Sequence, residues 1–138
     1  MNKTLWKMPV PATGLFRGPD FKKLDQRTCE ISFSIEAEAG VEKWLTLRFE
    51  GVEAFKCTYL TALRSIDREL RNEAYGKLIS VEASPWLSEV KKGHDDYCAT
   101  ARLTPKELQH LMICFDDGPC YELICESFEL PEEANVVH

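Results

Sequence analysis

Two acidic stretches and a scatter of thiols are the residues of this 138-residue chain whose types could do chemistry. His94-Asp95-Asp96 and Asp116-Asp117 would, if their turns met at one end of a sheet, set an imidazole beside several carboxylates. That is the donor set of a cation site or an acid/base pair. The spacing matches no established catalytic pattern, and neighbouring aspartates in turns serve mostly local backbone hydrogen bonds. The six cysteines, Cys29, Cys57, Cys98, Cys114, Cys120 and Cys125, include no CxxC pair. Reduced thiols of a cytosolic protein act first as small buried apolar residues. A zinc site drawn from His110, Cys114 and Cys125 on one hairpin face falls one ligand short. There is no GxSxG elbow, HExxH helix or phosphate-cradling glycine loop, so no catalytic residue, metal or cofactor is expected.

Binding chemistry is better represented. Trp44 falls on the outward side of its strand beside Thr46 and Arg48, and Tyr97 has no core assignment. Trp, Tyr and Arg are the residues enriched at interface hot spots. A net charge of -6 and a pI near 5.1 give no basic footprint for nucleic acid. The same charge suits a basic protein partner, and equally plain solubility. The expected partner-binding residues are Glu36, Glu38, Glu42, Asp95, Asp96 and Asp117 as steering charges, with Trp44 and Tyr97 as anchors. Two readings compete with this one. The first is a small enzyme or ligand-binding domain with a pocket between the sheet and the N-terminal segment, using His94 or His110 with a nearby Asp or Cys. The second is a homodimer built through an exposed sheet face or edge.

Whatever the chemistry, the chain is organised around residues 109–130, two apolar runs hinged on Asp116-Asp117-Gly118-Pro119. Gly supplies positive φ cheaply and Pro119 lacks the N–H of a tight turn, so a four-residue loop is expected. Counting outward from Phe115 opposite Cys120 sets Cys114 against Tyr121, Met112 against Leu123 and His110 against Cys125. A rival helix could open at Thr104-Pro105-Lys106-Glu107, a capping box with Pro at its first position. A single helical turn ending near Leu108 is preferred, with a strand after it.

Upstream, residues 1–27 read as irregular, with a short edge strand at Leu5-Trp6 and with Phe16 and Phe21 as anchors. Clean alternation predicts strands over 28–37, where Cys29, Ile31, Phe33 and Ile35 share a face, and over 43–50, where Leu45, Leu47 and Phe49 do. A third strand over 52–59 would complete a meander. Thr61 can cap a helix with Leu63, Ile66, Leu70 and Ala74 as its stripe, closed by Gly76. A strand from Lys77 and a short helix from Ser84-Pro85 to Val90 follow, then a loop over 91–104 and an acidic tail over 131–138 expected to fray.

The run Phe115-Asp116-Asp117-Gly118-Pro119-Cys120-Tyr121-Glu122 follows Leu111 to Cys114 and is preceded at a distance by Ser84-Pro85-Trp86-Leu87. It resembles the C-terminal half of small uncharacterised bacterial proteins, some of which resemble immunity proteins of polymorphic toxin systems. The resemblance covers the last third of the chain. It implies a non-catalytic protein that binds one partner tightly, and it transfers no catalytic residues. The expectation is one α+β domain over 1–138: a mostly antiparallel sheet of five or six strands, a main helix on one face and a short second helix. No apolar run approaches the roughly 20 residues of a membrane span, and the N-terminus lacks a signal-peptide pattern, so a cytoplasmic location is expected.

Overall fold

The computed structural model describes residues 2–116 and 118–131; Asp117 and the expected tail from residue 132 onward lie outside them. The fold is α+β. Its strands divide between two antiparallel sheets instead of one, with five strands in sheet A and four in sheet B. In chain order the elements are β1 (Lys3–Lys7), β2 (Leu15–Leu24), β3 (Thr28–Glu36), β4 (Glu42–Glu50), β5 (Ala54–Tyr59), α1 (Ser65–Ala74) and β6 (Lys77–Ser80), followed by α2 (Pro85–Ala101), β7 (Gln109–Cys114), β8 (Pro119–Cys125) and β9 (Ser127–Glu129). Sheet A runs β1-β6-β7-β8-β5, and sheet B runs β2-β3-β4-β9.

Alternation in β3 and β4 produces what period-two patterning requires, one buried face and one polar face. Cys29 pairs with Phe49, Ile31 with Leu47 and Phe33 with Leu45, all fully buried. Opposite them stand Leu111, Ile113, Tyr121, Leu123 and Cys125 of sheet A in the same core cluster. Aromatic rings tie the layers together: Phe33 meets Trp6 at 6.1 Å and Phe115 at 5.6 Å, and Phe21 stacks on Tyr121 at 5.5 Å. Truncating Phe33 to Ala would cost about 3–5 kcal/mol.

Sequence order and spatial order part company after β4. β5 does not extend the meander; it crosses to sheet A and pairs with β8. The N-terminal region is also more regular than its prolines and glycines suggest, since β2 pairs with β3 over ten residues with two irregularities. Phe21 is half-buried as an anchor should be, but Phe16 is 54% exposed. The helix α1 begins after Arg64, not at Thr61, and packs on β6 and β7.

Three expectations around the hairpin are corrected. The loop foreseen over 91–104 is instead the body of α2, which continues through Gly93 to Ala101 and closes on Arg102 in the left-handed region. Gly93 is exposed, and its missing side chain meets nothing, so it costs propensity without breaking the helix. Residues 103–108 then carry no regular secondary structure, with no helical turn at Pro105. The hairpin register is one step from the expected count: Cys114 faces Cys120, Ile113 faces Tyr121 and Leu111 faces Leu123. Pro119 opens β8 because its carbonyl, not its missing N–H, closes the loop by accepting from Phe115 N at 3.1 Å.

Candidate functional site

Both helices serve sheet A, α1 against β6 and β7 and α2 through Trp86 and Ser84 on His110. The outer face of sheet B is polar. Strand parity and pairing put Asp20, Glu30, Glu36, Glu42, Glu50 and Glu129 there with Arg17, Lys22 and Arg48, three more carboxylates than cations. Arg48 reaches Glu30 at 2.9 Å, Glu50 at 3.8 Å and Glu129 at 3.7 Å. One guanidinium among three carboxylates leaves them crowded. A hydrogen bond to Glu50, then that residue's charge, holds the Glu129 carboxyl above its ordinary range, with Arg48 opposing. Amid these charges Trp44 is 45% exposed, in register with Ser34.

The expected anchors and charges fall in two places. Trp44, Glu36, Glu38 and Glu42 gather at the β3–β4 end of sheet B, where Glu36 pairs with Glu42. Glu36 and Glu38 are exposed. Glu42 is occupied, accepting from Ser34 Oγ at 2.7 Å and holding Arg17 at 2.9 Å. Asp95, Asp96 and Tyr97 sit on α2, away from that hairpin in the fold order. Tyr97 is 66% exposed and Asp96 is exposed, whereas Asp95 is half-buried with Oδ1 enclosed. Asp117 lies outside the described residues.

A cavity of about 780 Å³ opens beside α2, lined by Arg27, Glu53, Glu89, Val90, Gly93, His94, Tyr97, Cys98, Leu103, Thr104 and Lys106. Glu53 is its centre of charge. Its carboxylate accepts from Lys106 Nζ and from Arg27 at 2.6 Å and lies 3.6 Å from His94 Nδ1. Burial pushes the Glu53 carboxyl up, but the Lys106 hydrogen bond and the charges of Lys106 and Arg27 outweigh it and hold the group below its ordinary value. His94 Nε2 accepts from Lys106 N–H at 3.1 Å, so the ring proton sits on Nδ1, toward Glu53. Cys98 Sγ lies 3.6 Å from the same Nε2, one helical turn along. The cluster pins the irregular 103–108 segment to the corner before β5. The sequence held no spacing that links residues 27, 53, 94 and 106.

The N-terminal segment lines a different cavity, about 500 Å³, between Lys7–Thr13 and Tyr75, Gly76 and Lys77. Neither histidine reaches it. His110 is instead buried in a chain that sequence reasoning missed: Leu87 N–H donates to Ser84 Oγ at 3.0 Å, Ser84 Oγ donates to His110 Nδ1 at 2.7 Å, and His110 Nε2 donates to Glu122 at 2.9 Å. The order is that of a hydrolase triad. With Ser84 6%, His110 4% and Glu122 7% exposed, it latches α2 to the sheet and presents nothing to a substrate. Only the capping half of it, Ser84-Pro85, was legible.

The zinc reading does not survive the register, because His110 and Cys114 lie on the helix-covered face while Cys125 points into the core between the sheets. Among the described residues no three His, Cys, Asp or Glu side chains converge as metal ligands, and no helix is long and apolar enough to cross a membrane. Comparison with protein-family models, with curated proteins and with solved structures finds no match to this chain.

Proposed function

We propose that this chain is a non-catalytic binding protein of the bacterial cytoplasm that engages a basic protein partner through the outer face of sheet B, in the manner of a toxin-immunity factor. The observation that carries the reading is Trp44, 45% exposed in the midst of a face with surplus carboxylates. A large aromatic presented on rigid strands is an inexpensive anchor, because little side-chain entropy is lost when it is covered. The crowding of Glu50 and Glu129 is a cost that an incoming cation relieves. Exposed Glu36 and Glu38 extend the same field to the hairpin end.

The test is affinity capture with the wild-type chain and with Trp44→Ala and Glu36→Lys/Glu38→Lys baits, washed at rising salt. A basic protein held by the wild type and lost by both variants supports the reading. One held equally by all three baits sinks it. A second reading, a small-ligand site, is favoured by the cavity beside His94, whose roughly 780 Å³ lies within the ordinary range for such sites. Fragment titration followed through the amides of Gly93, His94 and Lys106 tests that reading separately.

A further inference from the structure

The observed register brings together two thiols that the expected count had separated. Cys114 and Cys120 are directly opposite on adjacent antiparallel strands. Phe115 N–H donates to Pro119 O one step nearer the turn, so the Cys114/Cys120 pair is a non-hydrogen-bonded one. Such pairs hold their Cα atoms about 4.5 Å apart with both side chains on one face. A disulfide spans Cα separations of roughly 4.4–6.8 Å, so the strands need not move to accept one. The two sulfurs and the Arg71 side chain of α1 lie close enough to act on one another electrostatically.

We propose that Cys114 and Cys120 form a peroxide-reactive dithiol, with Cys120 as the attacking sulfur, Cys114 as the resolving sulfur and Arg71 as the cation beside them. The Cys114 hydrogen bond holds the Cys120 thiol below its ordinary range; burial opposes this, Arg71 adds to it, and Glu122 opposes weakly. Cys120, then burial and the Cys120 charge, drives Cys114 far up, so Cys120 is the readier of the two to lose its proton. Arg71 is fixed from its other side: it lies 4.8 Å over the Tyr75 ring, whose hydroxyl donates to Asp116 at 2.7 Å. Three of the other thiols are poorer candidates. Burial pushes Cys29 and Cys57 up, and burial followed by Cys29 pushes Cys125 up to about 12.

Both sulfurs are fully covered, and the cover is α1. Of the described side chains of that helix only Ala74 is buried, so its first turns can lift at low local cost while the last turn, with Arg71 over Tyr75, stays against the sheet. A hydroperoxide is small enough to use the opening. The Cys120 thiolate attacks one peroxide oxygen; the S–O bond forms, the O–O bond breaks, and the leaving hydroxide or alkoxide takes a proton. Cys114 then attacks the sulfenic sulfur; the S–S bond forms, the S–O bond breaks, and water leaves with the Cys114 proton. Two thiols are oxidised and one hydroperoxide is reduced to an alcohol, or to water when it is hydrogen peroxide, with a further water released.

The experiment treats the reduced full chain carrying Cys57→Ser, which removes the exposed thiol, with hydrogen peroxide at neutral pH. Intact mass should fall by about 2 Da, peptide mapping should link Cys114 to Cys120, and dithiothreitol should reverse both. Arg71→Met should slow the linkage several-fold without blocking it. Cys114 and Cys120 both recovered as alkylated thiols while other cysteines oxidise would overturn the proposal. So would sulfinic acid accumulating on Cys120 with no linked peptide, or an unchanged rate in Arg71→Met.

Discussion

Ser84 does two jobs with one oxygen, accepting the Leu87 N–H and donating to His110 Nδ1. Removing it leaves a helix start uncapped and a buried ring nitrogen unpaired, effects of about 1 kcal/mol and 1–3 kcal/mol. Ser84→Ala should therefore lower stability by roughly 2–4 kcal/mol in urea unfolding, while Ser84→Thr, which keeps the hydroxyl, should lose far less. Glu53 makes a pH-dependent contribution. Its carboxyl is depressed in the folded chain, so its stabilisation is fully present above the ordinary carboxylate range and is lost as pH falls through the lower folded value. Glu53→Gln should flatten that acid limb when unfolding midpoints are followed downward from pH 6. The helix start at Ser84 was legible, but its bond to His110 and the role of Glu53 were not, because partners far apart in the chain leave no local pattern.

At the scale of elements, legibility tracked burial. β3 and β4 were plain because each has one apolar and one polar face, and their inward residues were assigned correctly. β2 was hidden because it is an edge strand with polar residues, Gly18 and Pro19 along it, which read locally as a loop. Gly18 is there for a reason: at φ 92° a side chain would meet Ser32 O at 2.9 Å and Phe33 Cα at 3.0 Å. Gly18→Ala should destabilise by about 2 kcal/mol or more and should loosen the β2–β3 edge first, as amide exchange would register. The hairpin itself was legible, but its register was not, since a count from the turn shifts every facing pair when the loop gains or loses one residue.

Over the whole molecule, alternation named the faces but could not say which sheet a strand would join. That is why α+β class was readable and the division into two layers was not: Phe55 and Tyr59 fit a meander as well as they fit the edge beside β8. Charge was readable only as a total. The net -6 is distributed unevenly, and the outer face of sheet B bears a local surplus of carboxylates. Glu129 binds its proton more tightly folded than unfolded, so the chain loses stability as pH rises through and somewhat above the ordinary carboxylate range. Glu129→Gln should remove that loss and raise the melting temperature at neutral pH, more in low salt than in high. An equal rise at both salt concentrations would mean that repulsion is not the cause.

The crossing of β5 into sheet A also sets the order in which the chain can assemble as it is made. Sheet B is nearly all early sequence, and the inner faces of β3 and β4 emerge with Ile31, Phe33, Leu45, Leu47 and Phe49 uncovered. Their cover is the β7–β8 hairpin, synthesised much later, and β5 has no strand to pair with until β8 exists. A ribosome-bound chain stopped before Gln109 therefore carries a greasy half-sandwich and an orphaned strand, a species that a holdase chaperone should grip and that should aggregate without one.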